Sequence, residues 1–215
     1  MISTRNLSDL PAIQQLNRTM KSLAVLDAIV EPDWEYRYYS FNSKWDTSEE
    51  MGSMRNGQGD AWFCVFSPVG AFLKGFDHES EMSPWNQEPM RVWPGVLGAV
   101  PEMFKRFVQE PAFSMDDTTF CIWRSAQESG WRTGAVEYPA GEDPDGSGWM
   151  LSILRGEPEL YRSWAESYYE RPVALQIVRH VYEHKPLTDE IIRTLNQDRD
   201  LHGLTADLDE IGYPS

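Results

Sequence analysis

The chain has 215 residues and a formal net charge of −15, with 41% hydrophobic, 25% charged and 13% aromatic residues. Hydrophobic and charged content of this order is ordinary for a globular protein, and the length suffices for one sizeable core or two small ones. The negative excess argues against nucleic acid and against anionic membranes as partners, since both need a basic surface. It favours solubility, and it can steer a basic protein or a small polar ligand towards the chain.

No stretch is long and apolar enough to span a bilayer. The start, MISTRNLSDLPAIQQ, lacks the apolar run of a signal peptide. The expectation is a cytoplasmic protein with no membrane association. Cys64 and Cys121 sit inside apolar strand patterns, so free buried thiols are expected, with a disulfide between neighbouring strands as the alternative.

In chain order, Leu10, Ile13, Leu16, Met20 and Leu23 recur at helical spacing, which predicts a helix over Leu7–Val30. Ser8 is its candidate cap, Pro11 fits its first turn, and Pro32 ends it. Alternation in WEYRYYSFNSKW predicts a strand over Trp34–Trp45, with a weaker one over Trp45–Met54. Asn56–Asp60 is a loop leading into AWFCVF, a strand apolar on both sides and therefore central. Ser67-Pro68-Val69-Gly70 is turn chemistry, and Ala71–Phe76 is the returning strand.

A loop rich in proline then carries Trp85 and Trp93, followed by an expected helix over Pro94–Glu110 with Pro101 as a candidate break. TTFCIWR is a second core strand, GEDPDGSG an acidic turn, and Trp149–Leu154 an expected strand. The C-terminal third is helical, with first-turn prolines at Pro158 and Pro172. The polar stretch 197–215 reads as a mobile tail, though Leu204, Leu208 and Ile211 could dock it. The fold class is α+β. It comprises a mostly antiparallel central sheet of about five or six strands, packed by an N-terminal helix and C-terminal helices in a single domain over 1–215.

The stretches YYSFNSKW, GDAWF, KGFDHES and TFCIWR together resemble an uncharacterised family of bacterial proteins. The resemblance implies a bacterial cytoplasmic setting and transfers no catalytic residue.

Two groups of residues could carry chemistry. Asp77-His78-Glu79-Ser80 places two carboxylates, an imidazole and a hydroxyl where a strand leaves the sheet, suited to acid–base work or to holding a polar ligand. Just upstream, Lys74 lies between Phe72 and Phe76 on one strand face. Its ammonium either reaches water at the sheet rim or pairs with Asp77 or Glu79. Lys74, Asp77, His78 and Glu79 are expected to converge beneath the loop bearing Trp85 and Trp93, forming a partly dry pocket. Separately, His180-Val181-Tyr182-Glu183-His184 matches the H-x-x-E-H pattern of inverted zinc peptidases, in which two histidines one helical turn apart share a metal and the glutamate serves as base.

No intact catalytic signature accompanies these residues. The leading expectation is a non-catalytic ligand- or protein-binding domain, of which immunity proteins that neutralise basic toxins are an analogue. No cofactor is expected for it. The alternative is a metal-dependent hydrolase using zinc at His180, Glu183 and His184, with Asp77, His78 or Glu79 as further candidate ligands.

Overall fold

The computed structural model describes residues 2–214, so both end residues of the expected domain lie outside the described residues. Its centre is a six-stranded antiparallel sheet whose spatial order follows the sequence: β1 (Tyr39–Asp46), β2 (Glu49–Arg55), β3 (Ala61–Ser67), β4 (Gly70–Phe76), β5 (Phe120–Ser125) and β6 (Arg132–Thr133). The β3–β4 hairpin forms as its residues dictate. Ser67 pairs with Gly70 across the turn, and Gly70 takes φ 142° where a Cβ would meet Arg124 O at 2.2 Å.

Side-chain alternation divides the core between the two faces of the sheet. Trp62, Cys64, Phe66, Leu73, Phe120 and Ile122 join one cluster with the helices, whereas Val65, Phe72, Cys121 and Trp123 join a second. Cys64 and Cys121 are free and buried, and they lie on opposite faces, which rules out a bond between them.

The first face is covered by α1 (Ile13–Val30) and by the C-terminal helices α4 (Pro158–Tyr168), α5 (Leu175–Tyr182), α6 (Asp189–Leu195) and α7 (Leu201–Ile211). The second half of α1, from Leu23 to Val30, is buried all round, because sheet and helices enclose it. Chain 82–115 covers the other face with short turns and a one-turn helix, α2 (Lys105–Val108).

Several expected elements are corrected. Helix α1 starts at Ile13 with Ala12 at its cap position, since Ser8 bonds Asn6 in a local turn instead (Oγ to Oδ1, 2.7 Å). Trp34–Tyr36 is a 3-10 turn. The strand begins at Tyr39, where Asp27 Oδ2 accepts the N–H groups of Tyr38 (3.0 Å) and Tyr39 (2.8 Å). The expected helix over 94–110 shrinks to a 3-10 turn and α2, interrupted by Pro101 and by Gly95 at φ 93°.

The expected strand at Trp149–Leu154 is helix α3 (Ser147–Ser152). Its first-turn N–H groups donate to Asp145 (Ser147 N, 3.0 Å) and Asp143 (Gly148 N, 2.8 Å; Trp149 N, 3.0 Å), and this capping outweighs the local alternation. Within the expected mobile tail, 201–211 forms α7. Asp200 caps it, and it buries Leu204, Leu208 and Ile211 against α1 and β1.

Candidate functional site

The site grows from the open end of the β3–β4 hairpin. Because Ala61 pairs with Phe76, the residues just outside the ladder, Asp60 and Asp77, leave the sheet side by side. Asp60 is buried and accepts both the backbone N–H of His78 (2.9 Å) and its Nδ1 (2.7 Å). The hydrogen bond to Asp60 raises the pKa of the imidazole, with help from the charges of Asp60, Glu79 and Asp77 and against the effect of desolvation. Asp77 Oδ1 accepts the N–H groups of Glu79 (3.0 Å) and Ser80 (3.1 Å), fixing a tight turn. Its Oδ2 accepts Trp149 Nε1 from α3 at 2.9 Å.

Gly146, at φ 74°, permits that approach: a Cβ there would lie 2.3 Å from Asp77 Oδ2. The ligand atoms of Asp60, Asp77 and His78 all lie within 4.8 Å of one another. Ser80 is tied into the scaffold, with Oγ donating to Pro144 O at 2.6 Å and accepting from Met82 N at 2.9 Å.

Around this turn opens a cleft of about 390 Å³, lined by the carboxylates of Asp60, Asp77, Glu79, Glu81, Glu142 and Asp143 and by the Trp149 indole. Arg5 reaches this lining, its Nη2 donating to the carbonyls of Gly141 (3.1 Å) and Glu142. Glu79, Glu81 and Glu142 are exposed. No family model, curated protein or solved structure matches this chain.

The sequence-derived set is divided between three places. Asp77, His78, Glu79 and Ser80 stay together, joined by Asp60 and Trp149. Lys74 lies elsewhere, 2% exposed, with Nζ donating to Asp117 O at 2.6 Å and facing the rings of Phe63 and Phe76. It reaches neither water at the rim nor Asp77 or Glu79. Burial pushes its ammonium down to about 8, against the pull of Asp117. Trp85 belongs with Lys74: it packs on Phe76 (5.1 Å between centroids) and donates Nε1 to Asp117 Oδ1 at 2.8 Å. Trp93 is apart from both, donating Nε1 to Glu137 O at 3.0 Å beside a second cleft with Arg91 and Gly95.

The H-x-x-E-H stretch does not form the expected helical pair. Helix α5 ends at Tyr182, and His184 takes φ 56° beyond it. His180 Nε2 lies 2.8 Å from Pro186 O, His184 Nε2 lies 2.9 Å from Arg18 O, and Glu183 pairs with Lys185. The two rings address different carbonyls, so they do not face a common metal position.

Sequence reasoning missed Asp60, Asp117, Glu142, Asp143 and Trp149. For Asp60 the signal was present: the two-residue turn fixes the hairpin register and sets Asp60 opposite Asp77. Glu81, directly after Ser80, was missed as well although it was within local reach; Asp117, Glu142, Asp143 and Trp149 come from distant segments that nothing local marks.

Proposed function

We propose that this protein is a non-catalytic binding domain whose acidic cleft receives a cationic group. The cleft itself carries this reading, with its six carboxylates and an indole wall. Asp60 and Asp77 already accept several N–H groups each, a duty that fixes them as scaffold, Asp60 being paired with the His78 ring. Glu81 and Glu142 are exposed beside the cleft, and Glu79, also exposed, lies 3.9 Å from His78 Nε2. Carboxylates in a concave site focus field and raise the local concentration of cations. A bacterial cytoplasmic setting and an immunity-type partnership with a basic protein are part of the proposal, the latter by analogy.

The test must separate the cleft from overall charge. The triple variant Glu79→Gln, Glu81→Gln, Glu142→Gln is compared with Glu35→Gln, Glu190→Gln, Glu210→Gln, which alters exposed glutamates outside the cleft by the same net charge. Calorimetric titration with hexa-arginine at moderate salt should show roughly tenfold weaker binding for the first triple and little change for the second. Equal weakening in both would mean that net charge alone attracts the peptide, and the cleft reading would fall.

A further inference from the structure

Trp149 belongs to two cavities. One side of its ring lines the acidic cleft. It also lines a smaller, mostly apolar pocket of about 120 Å³ whose wall includes Tyr38, Tyr39, Leu160, Ile153 and Trp164. The aromatic rings here hold one another at fixed angles. Tyr38 and Trp164 are 4.8 Å apart between centroids, and Tyr39 and Trp164 4.9 Å, so the walls of the pocket pack on one another. The indole between the cavities is itself anchored on Asp77 and is 42% exposed.

We infer that the occupant is a polypeptide segment of a protein partner in which a lysine or arginine stands beside an aliphatic residue. The basic side chain would enter the acidic cleft, the aliphatic one the aromatic pocket, and the backbone between them would cross the Trp149 ring. The inference rests on the acidic-cleft reading and narrows it. Charge complementarity sets the first group. Ring walls with a volume suited to one small side chain set the second. Two separate cavities meeting at one ring ask for two groups on a common backbone, which a compact organic cation does not supply.

The probes are the capped dipeptides leucyl-arginine and arginyl-leucine, their alanine counterparts, and butylguanidinium. The readout is the indole N–H resonance of Trp149, assigned by its loss in Trp149→Phe. One leucine dipeptide should bind roughly tenfold more tightly than its alanine counterpart, the gain expected from burying one aliphatic side chain. Ser152→Leu, which fills the aromatic pocket from its rim, should erase that gain and leave the alanine dipeptides unchanged. Equal binding of leucine and alanine dipeptides, still weakened by the cleft triple variant, would overturn this inference and spare the acidic-cleft reading. Butylguanidinium binding as tightly as the better dipeptide would point to a small organic cation and overturn the polypeptide. No shift with any probe would remove both readings.

Discussion

The indole nitrogen of Trp149 donates to Asp77 Oδ2 at 2.9 Å, joining helix α3 to the exit of strand β4. This bond closes the acidic cleft on one side and sets the wall it shares with the aromatic pocket. Asp77→Asn should break it selectively, because the amide oxygen can keep the Glu79 and Ser80 N–H groups while the amide nitrogen faces the indole. Trp149→Phe removes the donor and keeps a ring. Each change should cost about 1–2 kcal/mol in urea unfolding, and the double variant no more than the larger single. Strictly additive costs would show that the two side chains do not depend on each other.

Lys74 offers a cleaner electrostatic test. Burial depresses its pKa from 10.5 to about 8. The unfolded chain therefore keeps a proton on this amine between those values when the folded one does not, and stability rises with pH across that window. Below about 8 the folded state bears the cost of a buried ammonium. Lys74→Met keeps the volume and removes the charge, at the expense of leaving Asp117 O without its donor. The expected outcome is a gain of about 1–2 kcal/mol at neutral pH and the disappearance of the rise between pH 8 and 10.5. Parallel profiles for the two proteins in that range would place the ammonium in water.

Asp27 should act in the acid and neutral range. It is fully buried in α1 and accepts Tyr161 OH at 2.9 Å as well as the N–H groups of Tyr38 and Tyr39. Burial raises its pKa from 3.8 to about 7, opposed by those hydrogen bonds and by Tyr169. A raised folded pKa means that the native state holds the proton more tightly. The stability this contributes is complete below pH 3.8 and is lost as pH rises through about 7. Asp27→Asn imitates the protonated acid, with its oxygen towards Tyr38 and Tyr39 and its nitrogen towards Tyr161. Thermal unfolding at several pH values should show the variant within about 1 kcal/mol of the parent near pH 5 and more stable near pH 8. A variant less stable at both would show that the carboxylate itself is required.

Features that depend on neighbours along the chain are legible without the fold. Alternation in AWFCVF, GAFLKGF and TFCIWR set which side chains point to which face, and the Ser67–Gly70 turn set the hairpin register, because period and turn chemistry are local properties. The apolar spacing from Ile13 to Leu23 likewise announced α1.

Contacts between distant segments were decided by tertiary structure. Lys74 found Asp117 because the chain before β5 passes over that face, and Asp77 found Trp149 because capping by Asp143 and Asp145 turned an alternating stretch into helix α3. The stretch 201–211 became a packed helix because α1 and β1 offered a surface for Leu204, Leu208 and Ile211. His180 and His184 parted because α5 ends at Tyr182, before the turn that would have aligned them. For Lys74 with Asp117, Asp77 with Trp149 and 201–211 with α1 and β1, no short window of sequence contains both partners, whereas the Asp143 and Asp145 caps of α3 are local and simply outweigh the alternation that follows them.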